Sequence, residues 1–210
     1  MENEIRIEVL SKKHIIEAAN CLAEGFLREP MTLALDIEFV EILEFTQHAV
    51  SKTVNEGLSL VAVDVDSDSV IGVSINKDLL DELVNEDDVF LMKLSPIFNL
   101  LEQLDEEYRA NHEVKRNEIF HGLMIVADQK SKFGNIAFQL LEKSYELAKE
   151  NDFSKMMVEA TGPISQNVAA KKLGFTEFAS VNYSDFEFEG DRIFSEIIDV
   201  STCKLLVKEL

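Results

Sequence analysis

The chain has 210 residues, 46% of them hydrophobic, which is enough for one domain with a full core and too apolar for global disorder. Forty acidic residues against 20 basic give a net charge of −20, which argues against a nucleic-acid binder and favours cationic partners. No apolar run approaches the roughly 18 residues of a membrane span, the opening MENEIRIEVL lacks a secretory leader pattern, and Cys21 and Cys203 are too few for a disulfide framework. The expectation is a cytoplasmic protein, monomer or homodimer, with no membrane partner.

Ile5, Ile7 and Val9 alternate with charged residues, as in a strand with one buried face. Ser11 is an N-cap for a helix whose apolar positions are Ile15, Ile16, Ala19, Leu22, Ala23 and Phe26. Pro30 stops that helix. A second helix is read over 36–56, ending at Gly57. Strands follow at 58–65 and 69–76, joined by Asp66-Ser67-Asp68.

Residues 78–116 are strongly acidic. They read as a helical insertion in two pieces, split near Ser95-Pro96, that serves as a charged cover, a lid or a cation-attracting wall. EIFHGLMIVA (118–127) is a continuous apolar strand of a sheet centre. A helix is expected at 136–150, a buried strand at 155–160, and a helix near 164–173 ending at Gly174. FTEFASVNY and RIFSEIIDV read as two late strands around a turn at Glu189-Gly190-Asp191. With no repeat or long linker, residues 1–210 form one domain.

The informative stretch is LMIVADQKSKFGNIAFQLL (123–141), in which a buried strand runs through a polar loop into a helix. Unpaired amides at a helix N-terminus, aided by its dipole, bind phosphate oxygens. Lys130 and Lys132 add positive charge, and Gly134 and Asn135 tolerate left-handed backbone. Neither a dinucleotide fingerprint nor a P-loop is present.

The element order, with this loop, resembles the GCN5-related N-acetyltransferase (GNAT) superfamily over nearly the whole chain. The resemblance implies an α/β (α+β) fold, with a mixed central sheet flanked by helices on both faces, and acetyl-CoA as cosubstrate. Lys132-Phe133-Gly134-Asn135-Ile136-Ala137 corresponds loosely to the family's pyrophosphate loop. An alternative register puts Gly134 on the family glycine and Ser131 on its basic position. GPISQNVAAKKLGF (162–175) resembles the family's fourth helix, where Asn167 and Lys171 would face pantetheine or phosphate. Ala170 stands where many members carry a tyrosine acid.

Two further segments resemble the arylalkylamine N-acetyltransferase-like branch. They are Phe26-Leu27-Arg28-Glu29-Pro30-Met31 and Asn182-Tyr183-Ser184-Asp185-Phe186, the latter followed by Gly190 and Phe194. The resemblance implies transfer of acetyl to a small primary amine, an arylalkylamine or polyamine, with Glu29 as general base. An ordinary glutamate is a weak base at neutral pH, so Glu29 needs burial to raise its pKa. Backbone amides near Met124, Ile125 and Val126 would receive the carbonyl oxygen. Ser165, with Thr161 near it, is a further catalytic candidate by the same resemblance, and Tyr183 is either a proton donor or a packed core tyrosine. His121 stands one residue out of register with the catalytic histidines of vertebrate relatives, which turns it to the other sheet face as a core histidine. No spacing suggests a metal site. Acetylation of a peptide amine, or acyl-CoA binding without catalysis, remain open alternatives.

Overall fold

The computed structural model describes residues 4–84 and 91–210. Seven strands form one mixed sheet in the order β1-β2-β3-β4-β5-β7-β6. They are β1 (Ile5–Val9), β2 (Leu60–Asp64), β3 (Ser69–Asp78), β4 (Ile119–Ala127), β5 (Lys155–Ala160), β6 (Thr176–Asn182) and β7 (Thr202–Glu209). The pairing of β4 with β5 is parallel, and the other ladders are antiparallel.

Alternating side chains feed two layers, as strand geometry requires. On one face Val61, Val63, Val73, Ile75, Met124 and Val126 pack against α1 (Ile15–Phe26) and α3 (Phe39–Thr53). On the other, Leu60, Ala62 and Ile71 meet Ile136 and Leu140 of α5 (Ile136–Glu150). A Cβ at Gly72 would lie 2.6 Å from Ile136 Cγ2, so glycine there lets α5 sit directly on β3. Below that helix, Ser74, Asn76 and Ser144 bond to one another at 3.1 Å, and Asn76 Nδ2 also donates to the Leu58 carbonyl. These buried polar groups are therefore paired, as burial demands.

Several boundaries differ from the sequence reading. Pro30 does not only end the first helix. It opens a short helix, α2 (Pro30–Ala34), at the position where its missing N–H costs nothing. The acidic stretch is not split at Pro96, because α4 (Leu91–Asn111) runs through it. Ser95 Oγ donates to the Met92 carbonyl at 2.9 Å, the oxygen left without its helical amide by the proline. Nor is α4 only a charged cover: Leu94, Leu100, Leu104 and Tyr108 are buried in the core. The expected piece preceding it falls partly on 85–90, outside the described residues.

RIFSEIIDV is not a strand. Ile193, Phe194 and Ile197 reach the core from irregular turns, with Phe194 stacked on Phe186. The late strand is instead β7, inserted between β5 and β6. The helix near 164–173 starts as α6 (Pro163–Gln166) and widens into π-type turns over Asn167–Lys172. No described helix is long and apolar enough to cross a membrane.

Two features shape the site. The β4–β5 ladder holds for four pairs, Ile119↔Lys155 to Gly122↔Val158, and then ends while β4 continues to Ala127. Across from β3, Leu123 is an extra residue, since Ile75 pairs with Met124 and Asn76 with Gly122. Against this opened region, the last turn of α1 lies so close that a Cβ at Gly25 would stand 2.2 Å from Val126 Cγ1. Gly25→Ala is therefore expected to destabilise the protein by about 1–3 kcal/mol through overpacking. Adding Val126→Ala should recover most of that loss in a thermal-unfolding double-mutant cycle.

Candidate active site

A cavity of about 280 Å³ occupies the opening between β4 and β5. Phe26, Met31, Ile42, Phe45, Leu94, Ile97 and Phe98 wall it on the helical side. Gly122 to Ala127, with Met124, Ile125 and Val126 among them, form its floor. Beyond Gly122 the β5-facing edge of β4 has no strand partner. This is the stretch of backbone from which the sequence reading expected donors to a carbonyl oxygen.

Glu29 joins α1 to α2 with an extended backbone at the N-cap of α2, yet its carboxylate does not cap that helix. It turns into the cavity instead, where Thr161 Oγ1 donates to Oε2 at 2.5 Å. Burial raises the Glu29 carboxyl above the usual carboxylate range, and the Thr161 bond offsets only part of that rise. Gly162 lies beside the carboxylate, and a Cβ there would stand at ordinary contact distance, 3.8 Å, from Oε1.

Tyr183 is fully buried, is not among the cavity-lining residues, and donates from its hydroxyl to the Thr161 carbonyl at 2.7 Å. Burial drives its pKa far upward. These facts describe a packed core tyrosine bonded to Thr161. Ser165 lines the cavity, but its Oγ donates to the Gly162 carbonyl at 3.0 Å and lies 3.1 Å from the Gly162 amide, as a cap of α6.

The loop before α5 only partly matches the expected phosphate nest. Asp128 Oδ1 accepts the Lys130 amide at 2.8 Å, the Asp128 carbonyl accepts the Ser131 amide, and Ser131 Oγ accepts the Phe133 amide. Three loop amides are thereby satisfied internally. Lys130 Nζ lies 3.5 Å from Glu24, and Lys132 turns to Asp66 at 3.1 Å and Asp64 at 3.7 Å. Neither Lys132 nor Gly134 lines this cavity or the concavity beside α5.

The first turn of α5 is different. Asn135 caps it in left-handed geometry, φ 62°. Phe133, Asn135, Ile136 and Ala137 border a second concavity with Asn167 and Lys172. Lys172 Nζ, 3.5 Å from Asn135 Oδ1, takes the place expected for Lys171, which is exposed and outside both cavities. The residues fit a phosphate group at α5, with Asp128 acting against it.

His121 is the clearest departure. The extra residue at Leu123 reverses the alternation of β4, so His121 lies on the same face as Met124 and Val126, not the opposite one. There His121 Nε2 meets Glu159 Oε2 at 2.6 Å, with both side chains buried. Glu159 lines the cavity, and the sequence reading missed it. Burial would raise its carboxyl, but the charge and hydrogen bond of His121, its own amide and Lys77 bring it below the ordinary range. The readable signal was a lone carboxylate in the buried strand KMMVEA.

No protein-family model and no curated protein sequence matches the chain. Solved structures do match in shape. The C-terminal condensation domain of Ebony, in complex with β-alanyl-dopamine, superposes with a TM-score of 0.88 at 20% identity, covering 99% of this chain and 100% of that one. Arylalkylamine N-acetyltransferase 2 from Aedes aegypti gives 0.76 at 25% identity, with 99% of both chains covered. A Drosophila melanogaster polyamine N-acetyltransferase gives 0.74 at 15% identity, over 99% of this chain and 100% of that one. Together with the parted β4–β5 pair and the helix-capped loop, these matches give the chain the GNAT fold, with a likeness to the arylalkylamine N-acetyltransferases.

Proposed function

We propose that the chain is an N-acyltransferase that moves an acetyl group from acetyl-CoA directly to a primary amine of the arylalkylamine or polyamine class, with Glu29 as general base. The observation that carries this reading is a buried carboxylate of raised pKa inside an apolar cavity at the opened β4 edge. Acetyl-CoA supplies the activated thioester carbon. The α5 amides and Lys172 would hold its phosphates, and the β4 edge would orient its carbonyl.

An amine arrives as an ammonium ion, and only its lone pair attacks. Glu29 accepts the ammonium proton, either directly or through water, the amine nitrogen bonds to the carbonyl carbon, and the carbon–sulfur bond breaks, with the departing CoA thiolate taking up the second nitrogen proton to leave as the free thiol. Thr161 and Tyr183 fix the carboxylate's direction. The net charge of −20 would draw cations toward the site.

A second reading is amide condensation with an aminoacyl donor. It is favoured by the likeness to the Ebony domain and by the three loop amides closed upon Asp128 and Ser131.

The direct test is release of CoA from acetyl-CoA across a panel of tryptamine, dopamine, phenethylamine and polyamines. Turnover is expected with at least one, and none above background would remove the acetyl-transfer reading. Glu29→Gln should lower kcat/KM by about 10²–10⁴-fold while leaving acetyl-CoA affinity nearly intact. Equal loss of both would mark Glu29 as structural.

The raised pKa also sets a sign for stability. Below the ordinary glutamate pKa, wild type and Glu29→Gln are both neutral at this position and should unfold at similar temperatures. As pH rises through the raised value, the wild type must ionise a buried group and loses stability that the glutamine variant keeps. The melting-temperature gap, glutamine above glutamate, should therefore open with rising pH. Asp128→Asn keeps an acceptor for the Lys130 amide and removes a charge beside the phosphate position. It should tighten acetyl-CoA binding several-fold in calorimetry, and weaker binding would refute this role for Asp128.

A further inference from the structure

The cavity contains a second carboxylate that the proposed chemistry does not use. Glu159 lies on β5 one residue beyond the last β4–β5 pair, at the fork where the strands part. Its side chain is only 6% exposed, yet it borders the cavity. Leu94, Ile97, Phe98, Leu101 and Leu123 make the facing wall apolar.

An ionised carboxylate on such a wall is costly without compensation. His121 supplies part of it through Oε2. Lys77 adds positive charge from β3, but its ammonium is anchored to the carbonyls of Asp78, Leu79 and Asp81. His121 Nδ1, also buried, has no hydrogen-bond partner among the described residues. One nitrogen of the pair is therefore not satisfied among the described residues, and its carboxylate member borders the cavity.

Glu159 and Glu29 line the same cavity. A substrate whose reacting nitrogen meets Glu29 thus brings its remaining chain within reach of the fork.

We propose that Glu159 binds a second primary ammonium of the substrates, separate from the nitrogen that is acylated. That cation would be the far end of a diamine acceptor, or the terminal amine of an ω-aminoacyl group on the donor. The inference rests on reading the cavity as the acyl-transfer site. Glu159 recognises charge and takes no part in proton transfer.

Amide products serve as probes, because their binding needs no turnover. For the donor arm, calorimetry compares N-(3-aminopropanoyl)phenethylamine with N-butanoylphenethylamine, which carries a methyl in place of the ammonium. For the acceptor arm, it compares N-acetyl-1,4-diaminobutane with N-pentylacetamide. In one arm the ammonium probe should bind at least tenfold tighter, and that arm identifies the source. Glu159→Gln should erase the gap while keeping the affinity for the methyl probe.

Equal affinities within both pairs on the unmodified chain would overturn the proposal, whether or not the variant folds. A gap that persists in Glu159→Gln would overturn it as well. A gap without turnover on the amine panel sustains Glu159 and removes acetyl transfer. Turnover without a gap does the reverse.

Discussion

Parallel strands β4 and β5 stay paired only as far as Gly122 and Val158, and everything at the site depends on where that ladder stops. A sheet centre is normally sealed by side chains on both faces and by continuous backbone pairing. Ending the ladder in mid-sheet frees an edge of β4 and makes a cleft in which substrate can meet main-chain donors. The extra residue at Leu123 and the contact of Gly25 with Val126 both belong to this region. The first changes which side chains face the cleft, and the second brings the end of α1, and with it Glu29, across its mouth.

The two carboxylates in the cleft show how surroundings assign different properties to one residue type. Glu29 sits among apolar neighbours with a single neutral donor, and burial prevails. Glu159 is buried too, but His121 and Lys77 reverse the direction. Groups whose environments push them apart are how a fold separates proton acceptance from fixed charge. Four elements contribute to the contrast: the α1–α2 junction, β3, β4 and β5.

Periodicity made much of the fold legible. Residues 136–150 and 155–160 match α5 and β5 to the residue, because a 3.6-residue stripe and a short buried apolar run are strong local signals. The last strand was not legible for the opposite reason. Lys204 and Lys208 interrupt β7, yet Lys204 is paired with Glu177, and Lys208 bonds the Leu173 carbonyl and lies over the Tyr145 ring. RIFSEIIDV, richer in apolar side chains, sends Ile193, Phe194, Ile197 and Val200 to the core without joining the sheet, while Ile198 stays exposed. At the site, Glu29 was readable through its motif. The facing of His121 was not, since a one-residue bulge leaves no mark in composition. The role of Asp128 was equally hidden, because which loop amides it takes is decided by the fold of the loop.

The bond from Thr161 to Glu29 spans 132 positions of sequence, and Tyr183 behind it lies 22 further on. Contacts of such long range form late, after the loops between them have been closed. While the first half of the chain stands alone, Glu29 is an ordinary solvated acid at the end of a helix. The raised carboxyl is conferred by assembly, so a growing or half-folded polypeptide carries the residue but not the surroundings that shift it.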